Sequence, residues 1–145
     1  MAQAAPAIPE AVMDRINARA TAQYANWKAT ATEEQKTKGL EEMEKFKTDE
    51  EFRNTRMGVM NQNFTDSDVD GDGKLNLAEF RVWEAKGHEE SRRNGTWAEE
   101  GHTEENYAIA NMLSEGDGVT IAEFWTIITP WMAKFEELKA ADAAQ

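Results

Sequence analysis

Twelve consecutive residues, Asp68-Val-Asp-Gly-Asp-Gly-Lys-Leu-Asn-Leu-Ala-Glu79, carry side-chain oxygens at a spacing that suits a hard cation. Counted from Asp68, the oxygens fall at positions one, three, five, nine and twelve, on Asp68, Asp70, Asp72, Asn76 and Glu79. Gly73 stands at position six and apolar Leu75 at position eight. Calcium takes about six to eight oxygen ligands at roughly 2.3–2.6 Å, and a short loop supplies them only by curling around the ion. Alternate residues then turn their carboxylates inward, while the sixth makes a sharp turn that glycine adopts at low steric cost. Lys74, at position seven, would ligate through its backbone carbonyl, so its positive side chain is no objection. Asn76 would act directly or through a water, and Glu79 would close the shell with both oxygens. The pattern D-x-[DN]-x-[DN]-G-x5-E is complete.

Such a loop works only if the elements on either side hold its ends together, and the flanking apolar periodicity predicts helices. The entering helix is expected from about Asp49 to Thr65, capped by Thr48 or Asp49, with a stripe of Phe52, Met57 (or the stem of Arg56), Met60 and Phe64. The leaving helix is expected from Leu77 to about Lys86, with Phe80 and Trp83 facing inward.

The loop and these flanks resemble the EF-hand superfamily of calcium-binding proteins. Phe64, four residues before the loop, and Phe80, directly after it, stand where EF-hands place the aromatics that pack the two helices together. The resemblance implies an all-α fold. It would consist of an EF-hand pair, helix-loop-helix units joined by a short two-stranded pairing of their loops, plus N-terminal helices.

EF-hands usually act in pairs, and the segment Gly116-Asp-Gly-Val-Thr-Ile-Ala-Glu-Phe124 echoes residues 71–80 one residue short. Aligned on Glu-Phe, Glu123 takes position twelve and Val119 position eight, but positions one, three and five become Met112, Ser114 and Gly116. Aligned on Gly118 as the turning glycine, Asp117 and Glu115 fill positions five and three, and Leu113 occupies position one. Either way a ligand is lost, and residues 113–123 read as a degenerate loop bracing the first through Leu75 and Val119 or Ile121. The alternative is an unusual 11-residue loop in which Glu115, Asp117 and Glu123 hold a weak second calcium ion.

Residues 1–9, with Pro6 and Pro9, read as a flexible lead. Residues 10–48 form either an N-terminal helical hairpin or a degenerate EF-hand region, and residues 49–145 the EF-hand pair. The first helix carries Val12, Ile16, Ala20, Tyr24 and Trp27 at spacings of three or four, and Thr32 is placed to cap a second bearing Leu40, Met43 and Phe46. Gly87–Gly101 reads as a linker or an extended helix end. Beyond it, a helix beginning near Thr103 is expected to bury Tyr107, Ala110, Met112 and Leu113. The last helical region starts at Ala122 and should restart at Thr129-Pro130, because proline fits poorly inside a helix. Its Ala-rich end should fray.

Lysine and arginine total 16 against 28 aspartates and glutamates, a formal charge of −12. That balance argues against nucleic acid as a partner and suits a cation or a partner with a basic face. There is no cysteine, hence no disulfide, thiol nucleophile or thiolate zinc site. No secretory signal, N-myristoylation site or membrane-spanning segment is evident, so the cytoplasm is the expected location.

The resemblance implies a calcium sensor or calcium-responsive interaction protein acting through helix rearrangement, its target an amphipathic helix of another protein. The alternatives are a calcium buffer, or a helical interaction protein whose fold calcium clamps. Catalysis is not expected. His88 and His102 are lone histidines in a polar segment, expected in solvent, and no recognised nucleophile, phosphate or zinc motif is present.

Overall fold

A computed structural model describes residues 8–114 and 117–144. They form α1 (Glu10–Thr30), α2 (Glu33–Thr48), α3 (Glu50–Ser67), α4 (Leu77–Arg93), α5 (Thr103–Leu113) and α6 (Ile121–Ala143). The described chain is all-α. Its β-type pairing is a single antiparallel bridge between Leu75 and Val119. No described helix is long and apolar enough to cross a membrane.

Local chemistry sets most helix ends. Thr32 forms a capping box with Gln35: its Oγ1 accepts from the Gln35 N–H at 3.1 Å, and the Gln35 side chain accepts from the Thr32 N–H at 2.9 Å. Asp49 alone separates α2 from α3, and its carboxylate accepts from the Phe52 N–H. Of the two expected caps, Thr48 and Asp49, the aspartate does the work. Helix α4 runs seven residues past its expected end at Lys86, through Gly87 to Arg93. A mid-helix glycine costs only about 1 kcal/mol, and the real stop lies beyond it. Gly95 adopts φ 78°, its N–H bonds to the Arg92 carbonyl, and the Thr96 N–H bonds to that of Ser91. This is a complete Schellman termination.

Helix α6 also departs from expectation. It is continuous through Pro130, with no restart at Thr129. Proline removes one hydrogen bond and crowds one carbonyl, but packing on both sides of it holds the helix together. Phe124 and Ile127 lie against the core beside the loops, while Trp131 and Phe135 pack towards α1. The Ala-rich end is likewise ordered, to Ala143. The Tyr24 hydroxyl donates to Asp142 at 2.5 Å, and the Lys28 ammonium lies 2.7 Å from the same carboxylate.

That tether has a pH signature. Lys28, then Tyr24, holds the Asp142 carboxyl below the usual range. Its contribution to stability is therefore present above the ordinary carboxylate value and lost as pH falls through the lowered one. Burial first, and Asp142 second, pushes the Tyr24 hydroxyl up to about 12. The contribution of Tyr24 is full below its ordinary value of 10.0 and fades as pH rises towards about 12. In Tyr24→Phe, the alkaline decline in thermal midpoint across that window should shrink. An unchanged alkaline profile would rule out the tether.

The N-terminal helices have different main neighbours: α1 packs on α6 and α5, whereas α2 packs on α3. Val12 and Ile16 of α1 meet Ile109 of α5 in one apolar cluster. Phe64, Leu75, Phe80, Trp83, Ala110 and Val119 make the other, which lies directly under the two loops. The expected stripe of α5 was offset, because Ile109 is buried and Met112 is exposed.

Helix α1 also carries a charge inside. Arg19 is only 5% exposed, and its guanidinium pairs with Glu99, itself buried in the segment between α4 and α5. Arg19 Nε donates to Asn106 at 2.9 Å, and Asn26 donates to the second Glu99 oxygen at 2.8 Å. Burial lowers the Arg19 pKa, partly opposed by Glu105 and Glu84. His88 is half-buried beside Glu84, not in open solvent, and desolvation holds its pKa below the usual histidine value.

Candidate metal centre

Residues 68–76 run between the end of α3 and the start of α4, and each end is held locally. Asp68 follows α3, its N–H bonded to the Phe64 and Thr65 carbonyls. Asn76 caps α4 by accepting from the Glu79 N–H at 2.9 Å, and a Glu79 oxygen accepts from the Asn76 N–H at 3.0 Å. Between them the loop turns through Gly71 (φ 69°) and Gly73 (φ 81°). Gly73 was expected to make the turn. Gly71 shares that duty, which its place between two aspartates could have signalled.

Within the loop, backbone N–H groups orient the aspartates, and α4 supplies the glutamate. Asp68 Oδ2 accepts from the Gly73 N–H at 2.8 Å, Asp70 from the Asp72 N–H at 3.3 Å, and Asp72 from the Lys74 N–H at 3.0 Å. Glu79, buried at the start of α4, reaches across to accept from the Val69 N–H at 2.8 Å. Asp68, Asp70 and Glu79 each offer an oxygen within 4.8 Å of the others. Asp72 stands beside this group and Asn76 serves as a cap, while the Lys74 ammonium turns away to pair with Asp117.

Electrostatics mark the same spot. The Asp72 N–H favours the Asp70 carboxylate, yet desolvation and the neighbouring Asp68 and Asp72 carboxyls outweigh it and raise the Asp70 pKa. The Asp72 pKa is lowered, first by the Lys74 N–H. Asp68 Oδ1 is buried and has no hydrogen-bond partner among the described residues. A buried carboxylate oxygen without a partner is costly. With the Asp70 and Glu79 carboxylates close by, a cation is a partner that would fit this oxygen. All-oxygen donors fit a hard divalent ion and leave no place for a soft one.

The second loop is organised differently. Leu75 and Val119 exchange both backbone hydrogen bonds, at 2.8 and 3.0 Å, which puts position eight opposite Val119 and matches the alignment on Glu123. Asn111 takes the turn-closing part that Asp68 plays in the first loop, its amide oxygen accepting from the Gly118 N–H at 2.9 Å. Counting a fixed twelve residues missed Asn111, whose separation from its glycine is two residues longer than that of Asp68 from Gly73. Asp117 is exposed and paired with Lys74, and Glu123 forms a capping box with Thr120. Neither belongs to a metal-like acidic group among the described residues. Glu115 lies outside the described residues.

Gly118 adopts φ 96°, and a Cβ there would lie 3.2 Å from the Leu75 carbonyl oxygen. Gly118→Ala should therefore cost about 1–3 kcal/mol in chemical denaturation. A neutral effect would mean that the loops are not held in this register. Comparisons with protein-family models, with curated proteins and with solved structures found no match to this chain.

Proposed function

We propose that this is a calcium-binding protein of the EF-hand type, holding one ion in the loop Asp68–Glu79. The observation that carries the reading is the buried, unpartnered Asp68 Oδ1, with Asp70 and Glu79 oxygens around it. Asp68, Asp70, Asp72 and Glu79 would hold the ion through carboxylates and Lys74 through its backbone carbonyl. Asn76, whose amide oxygen already caps α4, would act through a water. The Leu75–Val119 bridge supports a paired arrangement in which the second loop braces the first. The ammonium–carboxylate pair of Lys74 and Asp117 supports a single occupied loop.

The ligands span the end of α3 and the start of α4, so binding would couple to the angle between these helices. That coupling would suit a calcium-responsive interaction protein whose target is an amphipathic helix, with the cytoplasm as the expected location. A structural clamp is the second reading. It is favoured by α1, which already covers faces of α5 and α6. Calorimetric titration should give one calcium per chain, with magnesium weaker because it prefers a smaller, stricter octahedron. A stoichiometry of two, or none, would refute the single-loop assignment. Calcium-dependent binding of an apolar dye would favour the responsive reading. A rise in thermal midpoint without dye binding would favour the clamp.

A further inference from the structure

The first two helices belong to different bodies. Helix α1 packs on α6 and α5, whereas α2 packs on α3. Every other helix buries at least one residue, and α2 buries none. Its apolar face, Leu40, Met43 and Phe46 at spacings of three, instead lines one side of an open apolar pocket of about 550 Å³. Trp27 of α1 with Trp131 and Met132 of α6 line the other side. Apolar faces held apart forgo the dispersion contacts that close packing would give. What covers this pocket is therefore a part of the chain itself, standing half-closed.

The ties within the α2–α3 hairpin are dense. Arg56 pairs with Glu42 at 2.7 Å, and Arg53 donates to the Phe46 and Lys47 carbonyls at 3.2 and 3.3 Å. Lys45 and Arg56 both lie over the Phe52 ring. Across the pocket the ties are sparse. Lys47 pairs with Glu136, Lys36 lies 5.7 Å from the Trp27 ring, and the Phe46 and Trp125 rings stack with centroids 6.5 Å apart. The Trp125 indole also donates to Asn61 of α3 at 3.0 Å.

The hairpin joins the rest of the chain at two places, the Ala31–Thr32 joint before α2 and the loop 68–76 after α3. Beside that loop, α3 is anchored on α4: the Phe64 and Trp83 rings meet edge to face, and the Trp83 indole donates to the Met60 carbonyl at 3.2 Å. This anchorage is a fulcrum. Rotation about it moves the distant end of α3 most, and that end carries α2.

We propose that α2 and α3 form one rigid arm hinged at the Asp68–Glu79 loop and at Ala31–Thr32, which opens and closes the apolar pocket against α1 and α6, with Lys47–Glu136 as its latch. The side chains of the latch are each 40% exposed, and such pairs are weak enough to break and re-form. The trigger rests on the calcium reading above: an ion joining Asp68, at the end of α3, to Glu79 of α4 would set the angle of the arm.

The chain has no cysteine, so nitroxide labels can be placed in pairs on exposed positions. Glu41→Cys with Ala133→Cys spans the pocket, Glu41→Cys with Gln62→Cys lies within the arm, and Ala25→Cys with Ala133→Cys lies within the α1–α6 body. Distances measured by double electron–electron resonance should shift by more than about 2 Å across the pocket when calcium replaces chelator, with the other two pairs unmoved. In chelator, Lys47→Glu should lengthen the pocket distance by setting like charges face to face, and Lys47→Glu with Glu136→Lys should restore it. The thermal midpoint should hardly change, because the pair is exposed. A chain that binds calcium without moving the pocket distance would overturn the proposal, as would movement of the pair within the arm. Should calorimetry show no calcium binding, the loop reading fails by itself, and Lys47→Glu still decides the arm: a pocket distance that it leaves unchanged overturns the proposal.

Discussion

Glu79→Gln is expected to lower calcium affinity by more than about 100-fold, since even losing an outer partner of a metal ligand costs roughly 10–100-fold. Glu79 has two duties. Its oxygens accept from the Val69 and Asn76 N–H groups at 2.8 and 3.0 Å, closing the loop at one end and capping α4 at the other. Its carboxylate is also one of the three whose oxygens lie within 4.8 Å of each other. An amide presents one NH₂ where two acceptors are needed, so it would face a backbone N–H donor to donor and remove a full negative charge. The two duties separate experimentally. Calorimetry reads the lost affinity, and denaturation in a chelator reads the lost cap, which should cost about 1 kcal/mol. Calcium binding that survives unchanged would show that the ligand assignment is wrong.

Glu99→Ala should have the largest effect on stability, about 3–5 kcal/mol, because it strands the Arg19 guanidinium in a site where it is only 5% exposed. Small domains have about 5–15 kcal/mol in total, so the variant would be marginally folded at best. The pair as a whole need not be so valuable. Taking two charges out of water is itself expensive, and an apolar replacement of similar volume is often neutral or stabilising. Arg19→Met combined with Glu99→Leu should therefore recover most of what Glu99→Ala loses. Urea denaturation of wild type, Arg19→Met, Glu99→Leu and the double variant closes the cycle. A Glu99→Ala cost below about 1 kcal/mol would mean that water relaxes the stranded charge.

Much of the chain could be read without coordinates because its signals are local. The cap at Thr32 lies within three residues of the N–H group it serves, and the stripe from Val12 to Tyr24 repeats within each turn of helix, whereas the caps at Asn76 and Thr120 were equally local but went unread. The loop Asp68–Glu79 is local in the same sense: its glycines, its aspartates and their N–H partners lie within five residues of one another. Where local rules failed, something distant had overridden them. Pro130 does not break α6 because Trp131 and Phe135 pack towards α1, and the last turn stays helical because Tyr24 and Lys28 hold Asp142. The extent of α4 was a different case. Its stop at Gly95 was legible as a turn, but Gly87 drew attention first.

The sequence alone determined the oxygen-donor loop, the all-α character and most helix starts, since each depends on groups a few bonds or one helical turn apart. Only the tertiary structure decided what those elements enclose. Arg19 meets Glu99 across 80 residues, and Leu75 meets Val119 across 44. The open apolar pocket lined by Trp27, Phe52 and Trp131 draws its walls from every helix, so no stretch of chain contains its pattern. The physical reason is that periodicity and capping report which face of an element turns inward. They do not report which other face it meets, how closely the two fit, or which buried donor is left with nothing to bind.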